Sequence, residues 1–198
     1  MSKEKDDRQI IRKDAKNCFV EILNDSFKID KIHLNFATYD TSKPKGKRQT
    51  NNVAIYLPVD EFLEITRQIE CGEMKFELKK RRDAEDGSPI YESLGGTSAE
   101  RLKSLNAARE DGKSISRIFR ITCGKKGVFL TAVSGPGEEN EKGLIVPKYK
   151  EPENRVSVCL PLEMMSEMFL VAKIHYSAWL AAKYVYLSNN TQSNKKEK

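Results

Sequence analysis

Asn51 to Ile65 reads NNVAIYLPVDEFLEI, and Asn154 to Met168 reads NRVSVCLPLEMMSEM. Aligned, the two segments share Asn, Val, Leu, Pro and Glu at five of fifteen positions, and pairs such as Ile55 with Val158 and Asp60 with Glu163 are conservative. A unit that recurs within a chain sets the architecture, so this duplication is read before any local structure. In the first copy Val53, Ile55 and Leu57 alternate with Asn52, Ala54 and Tyr56, the period-two pattern of a half-buried strand. Val156, Val158 and Leu160 repeat it in the second copy. Pro58 and Pro161 then end the strand, because proline has no N–H for a ladder and is suited to the first helical turn. Asp60, Glu61 and Glu163 follow where a helix dipole favours acids. Phe62, Ile65 and Ile69 form one apolar stripe on the first helix, and Gly72 supplies its stop.

Upstream of each copy stand two further strand-like runs. In the first half they are Cys18 to Leu23 and Lys31 to Tyr39, the second with Ile32, Leu34 and Phe36 on one face. In the second half they are Ser116 to Cys123 and Gly127 to Ser134, joined by a tight Gly124-Lys125-Lys126-Gly127 turn. Leu144 to Tyr149 reads as a further short strand. The expected fold is therefore α+β: two repeats of a curved antiparallel β-sheet followed by one α-helix, with a structured linker between them. The corresponding division is a polar N-terminal arm over 1–16, a first sheet-helix repeat over 17–72, a linker insertion over 73–113, a second repeat with a long helix over 114–187, and a flexible tail over 188–198. Within the insertion, Met74, Phe76 and Leu78 alternate with charged residues and predict a strand or ribbon. Thr97-Ser98-Ala99-Glu100 reads as a capping box opening a short helix to about Ala108.

Composition narrows the function. Among 198 residues are four cysteines and two histidines. Cys18, Cys71, Cys123 and Cys159 form no CxxC pair, which argues against a zinc knuckle or disulfide framework and for reduced thiols in a cytoplasm. With His33 and His175 as the only imidazoles, no acid–base pair or nucleophile dyad stands out; the reading is a non-enzyme with no metal and no cofactor. Nothing approaches the roughly 20 apolar residues of a membrane span, and the N-terminal residues lack a signal-peptide core, so a cytoplasmic protein without membrane contact is expected. The net charge of +6 is unevenly spread: Pro58 to Glu73 holds five carboxylates and one arginine, while the strand-like regions are basic.

The elements FVEILND, KIHLNFATYD and NNVAIYLPVDEFLEITRQI in the first half, with RIFRIT, GVFLTAVSGPG and NRVSVCLPLEMMSEM in the second, make up a duplicated pattern. It runs strand, turn, strand, basic or Gly-rich loop, strand ending in Leu-Pro, then amphipathic helix. The pattern resembles the Pur-repeat nucleic-acid-binding proteins and their Whirly-type relatives. The resemblance implies two interlocked units, each a curved sheet backed by a helix, that bind single-stranded DNA or RNA. The insertion over 73–113 and the loop lengths depart from that pattern.

A sheet covered by helix on one face leaves the other for ligand, and single strands are held by bases stacking on aromatic rings while Lys and Arg follow phosphates. With Ile32, Leu34 and Phe36 turned to the core, His33, Asn35 and Tyr39 face outward, and the same parity turns Phe19, Tyr56, Arg120 and Phe129 outward. Tyr56 and Phe129 lead as stacking residues; the plain alternative for each aromatic is packing in a core or against a partner. Lys43, Lys45, Lys47 and Arg48 make a basic loop, Lys125 and Lys126 hold the hairpin turn, and Lys148 and Lys150 flank Tyr149; all fit phosphate contact, or a solvated surface. Lys79-Lys80-Arg81-Arg82 is neutralised by Asp83, Glu85 and Asp86. Leu94 to Ser98, with two glycines, could cradle an anion but reads better as a capped turn.

The last helix has two apolar sides. Met165, Phe169, Ala172, Tyr176 and Trp179 share one, and Val171, Ile174, Ala178, Ala181 and Val185 lie nearly opposite. One side covers its own sheet; the second predicts a homodimer or higher homo-oligomer. The leading expectation is a single-stranded nucleic-acid-binding protein, DNA before RNA, acting in replication, DNA transfer or transcription. The alternative is a protein-interaction or scaffold module.

Overall fold

Each Leu-Pro junction is the point where a sheet hands over to a helix. The computed structural model describes residues 7–196, with side chains over 7–186. The first sheet is an antiparallel meander of β1 (Gln9–Ala15), β2 (Cys18–Leu23), β3 (Lys31–Tyr39) and β4 (Gln49–Pro58), in that order. β1 lies within the stretch expected as a polar arm. Its Ile10 and Ile11 pack against the core, and Asn17 closes the hairpin to β2 at φ 58°, a left-handed conformation asparagine tolerates. α1 (Val59–Glu70) follows Pro58 directly, with Asp60 and Glu61 in its first turn and Phe62, Ile65 and Thr66 buried.

α2 (Glu73–Asp83) replaces the strand expected from Met74, Phe76 and Leu78. Met74 and Leu78 are four apart, a spacing that shares a face in both periods, and both are buried; Phe76 decides the matter, being 66% exposed on the helix. Gly72, at φ 82°, makes the bend between the two helices.

The second sheet holds β5 (Pro89–Thr97), β6 (Ser114–Cys123), β7 (Val128–Glu139) and β8 (Ile145–Pro147) in order, with β9 (Asn154–Leu160) also pairing β7. It is curled into a half-barrel: at Gly96 on β5 a Cβ would lie 2.7 Å from Ile145 on β8. α3 (Ala99–Ser104) is shorter than expected, capped by Ser98, whose hydroxyl accepts from the Arg101 N–H. Thr97 belongs to β5. The last helix, α4 (Leu162–Lys196), runs about 52 Å at 1.5 Å per residue. The expected tail, 188–198, falls on residues whose side chains lie outside those described.

Both repeats contribute to one core. Val20, Ile22, Ile32, Leu34, Phe36, Val53, Ile55 and Leu57 from the first sheet meet Phe119, Ile121, Leu130, Ala132, Val156 and Val158 from the second. Phe62 on α1 stacks on Phe169 of α4 with 5.5 Å between ring centroids. Phe27, in the 3-10 turn before β3, meets Tyr176 edge-on at 5.3 Å and Trp179 at 5.8 Å. Burying each such ring contributes on the order of 1.5–3 kcal/mol. With the inner faces turned to this core, the outer face of the first sheet presents Tyr56, while that of the second is partly closed, with Ile118, Val133 and Ile145 buried on it. Among the described residues no helix is long and apolar enough to cross a membrane.

Candidate nucleic-acid interface

On the outer face of the first sheet, Leu23, His33 and Tyr56 form one cross-strand row. Tyr56 is 44% exposed and lies over His33, with 4.5 Å between centroids and 27° between planes. His33 is buried, its Nδ1 2.9 Å from Asp25 Oδ1. A carboxylate only accepts, so Nδ1 carries the proton and the ring is locked in place. Burial and the nearby Asp25 charge push the Tyr56 phenol above its usual range, opposed by Arg117. His33, expected as an outward ring, thus supports Tyr56 from beneath. Tyr56 covers it and Asp25, from the segment between β2 and β3, holds it from the side, neither of which strand parity alone reveals.

At the other end of the same face, Phe19 is buried under the Arg12 guanidinium, 3.6 Å from the ring centroid, and neighbours Tyr39 at 6.4 Å. Arg12 also grips Asp14, which raises its pKa. The basic loop joins β3 to β4 beside this cluster and is braced: the Asp40 N–H donates to the Arg48 carbonyl at 2.8 Å, and Arg48 Nε to the Lys43 carbonyl at 3.0 Å. Lys43, Lys45, Lys47 and Arg48 are all exposed and form no ion pair among the described residues.

The remaining candidates lie on the second sheet. Phe129 faces outward, 36% exposed, and its ring occupies the space that a side chain at Gly124 would need. Lys125 and Lys126 are exposed in the adjoining turn, closed by the Gly124 N–H donating to the Gly127 carbonyl at 2.9 Å. Arg120 is held by Glu92, and Lys148 pairs with Glu138 at 3.0 Å, so their charge is partly matched; Lys150 is exposed. Tyr149 folds over Gly135 and covers part of this outer face. The candidates therefore form two groups, one on each sheet. On α2, Lys79 meets Asp83 and Arg81 meets Asp86, both at 2.9 Å, as the neighbouring acids implied.

Sequence reasoning missed the groove beside Tyr56. It runs between the edge strands of the two sheets, with an inner pocket of about 300 Å³ opening into a groove of about 860 Å³. Both parts are lined by Lys31, Tyr56, Gly96 and Arg117. Arg117 stands in a core-facing register row, opposite Gly95 on β5 and Ser134 on β7. It donates to Thr97 Oγ1 at 2.7 Å and has no carboxylate partner among the described residues. Partial burial pushes its pKa down, yet a guanidinium stays charged, so the groove holds a partly desolvated cation. Arg101 adds a third cation at the groove wall; of the two carboxylates there, Asp25 is engaged by His33 and Glu139 is exposed. The signal was present in the sequence, since Arg117 shares the parity of Phe119 and Ile121.

The second side of α4 is uncovered. Val171 is half-buried, whereas Ile174, Ala178, Ala181 and Val185 are exposed, Ile174 at 67%. Val171 and Ile174 edge an apolar groove of about 580 Å³ shared with Ile69 and Met74. The fold and groove define an α+β protein of two antiparallel sheets around one core, with a basic, aromatic cleft at their margin. The sequence matches no protein-family model and no curated protein.

Proposed function

We propose that the protein is a non-enzymatic binder of single-stranded nucleic acid of the Pur-repeat and Whirly type, with single-stranded DNA the first ligand and RNA the second. The observation that carries this reading is Tyr56: an exposed ring, backed by a locked imidazole, at the mouth of a groove containing an arginine without a carboxylate. Aromatic platforms beside unpaired cations are what sequence-tolerant binding of single strands requires. The braced loop of Lys43, Lys45, Lys47 and Arg48 extends the same sheet's cationic surface. In this reading copies pair through the uncovered side of α4, and the protein serves replication, DNA transfer or transcription in the cytoplasm.

Fluorescence anisotropy with labelled single-stranded DNA, single-stranded RNA and duplex DNA, at low and high salt, tests the proposal. Salt-sensitive preference for single strands is the expected result. Absence of binding at low salt overturns it and leaves the second reading, a protein-interaction module. The matched ion pairs Arg120–Glu92 and Lys148–Glu138 and the bare α4 stripe favour that alternative.

A further inference from the structure

The inner pocket differs from an open stacking surface. Ser93, Leu94, Gly95 and Gly96 all line it, and four consecutive residues of a strand cannot share one face. What the pocket meets is therefore the backbone edge of β5. Among the described residues β5 pairs only with β6, and β4, which contributes Ile55 and Tyr56 to the opposite wall, pairs only with β3. Two strand edges thus face one small space, each presenting main-chain donors and acceptors free of a ladder. At Gly95 a Cβ would meet nothing within 4 Å, so the absence of a side chain there keeps the space open rather than relieving a clash. Gly96 is different, since a Cβ there would lie 2.3 Å from the Ile115 carbonyl oxygen. Directly across the ladder from Gly95 is Arg117.

A partly open pocket of about 300 Å³ is at the small end of ligand sites. It offers an aromatic ring on one wall, the amide groups of a strand edge on the other and a half-buried guanidinium between them. From this juxtaposition we infer that the pocket receives a single nucleotide unit, its phosphate on Arg117 and Lys31, its base between Tyr56 and the β5 edge at Gly95. A ring face for stacking, a base edge for amide hydrogen bonds and an anion for the arginine are supplied together by a nucleotide. A peptide strand would use the edges but leave Arg117 unmatched. The inference rests on the proposed function and adds to it a defined seat for one unit of the strand, in place of uniform tracking.

Gly95→Leu tests it, because the added side chain enters the pocket and meets no protein atom at its Cβ; Gly95→Ala is the control. Each is titrated by anisotropy with a labelled 20-nucleotide single strand, and the Gly95 and Gly96 amide resonances of the wild-type protein are followed by NMR with that strand and, separately, with the four deoxynucleoside 5′-monophosphates. The expected result is a loss of about tenfold or more for Gly95→Leu, a much smaller change for Gly95→Ala, and displaced Gly95 and Gly96 resonances. If the strand binds both variants as it binds wild type and leaves these resonances in place, the pocket assignment is overturned while the broader function stands. If the strand does not bind at all, the broader function fails and the monophosphates decide: saturable shifts at Gly95 and Gly96 support a site for a free nucleotide, and unmoved resonances overturn it. Should Gly95→Leu fail to fold, the wild-type NMR titrations decide between the same two outcomes. A peptide that shifts both glycines where no nucleotide does also overturns the assignment.

Discussion

Tyr56 and His33 stack across neighbouring strands, 4.5 Å apart, with the imidazole buried and fastened to Asp25 and the phenol ring exposed above it. A ring fixed from below loses little freedom when a base stacks on it from above. Tyr56→Ala should therefore weaken single-strand binding by about 1–3 kcal/mol, and Tyr56→Phe should retain most of the affinity. Anisotropy titration beside a thermal melt checks this. A lowered melting temperature with unchanged affinity would show that the ring only packs.

The β3–β4 loop carries its charge on a braced frame, so removing side chains there should leave the fold alone. Replacing Lys43, Lys45 and Lys47 together by Ala should reduce affinity for all single-stranded sequences alike. It should also flatten the plot of log affinity against log salt by roughly 0.7 for each phosphate that is no longer neutralised. An unchanged slope would remove this loop from the interface.

How far the chain announced itself differs by element. β4 with α1, and β9 with α4, were legible because alternating apolar residues end in a proline that admits few local structures. β5 was not: PIYESLGGT is poor in strand-forming residues, and it becomes a strand by pairing with β6, while Gly96 separately lets Ile145 of β8 approach as the sheet curls. α2 was misread because positions 74 and 78 fit both periods. Tyr56 was legible by parity alone. The seat beneath it was not, since the burial of His33 and the groove at Arg117 arise from segments distant in sequence coming together.

In the proposed function Arg117 sets stability against binding. A half-buried guanidinium with only Thr97 Oγ1 as side-chain acceptor among the described residues carries a partial desolvation cost, and replacing a charge so placed by an apolar chain of similar length is often neutral or stabilising. Arg117→Met should hold or raise the denaturation midpoint while reducing single-strand affinity. Urea melts and anisotropy on the same preparation test both parts; loss of stability with full affinity would make Arg117 a structural residue.

The stacked pair Phe62 and Phe169 joins the helices of the two repeats inside one core. Phe62→Ala should cost about 3–5 kcal/mol, and the whole chain should lose stability together. Far-ultraviolet circular dichroism and Trp179 fluorescence should report one coincident transition, since Trp179 sits on α4 and packs against Phe27 of the first repeat. Two separated transitions would mean that the repeats are independent units.

α4 leaves the core beyond Leu180 with Tyr184, Val185 and Tyr186 each more than half exposed, and Val185 continues the bare stripe that begins at Ile174. A stripe whose middle is Ala178 and Ala181 lets a second helix approach closely, and a helix from an identical copy, laid antiparallel, meets the same small residues about a twofold axis. Wild-type protein should therefore have a dimeric or larger mass by size exclusion with light scattering. Ile174→Glu combined with Ala178→Glu should yield a monomer with an unchanged far-ultraviolet spectrum, because neither side chain is used in the monomer's own core. A wild-type protein that remains monomeric at high concentration would leave the stripe without this partner.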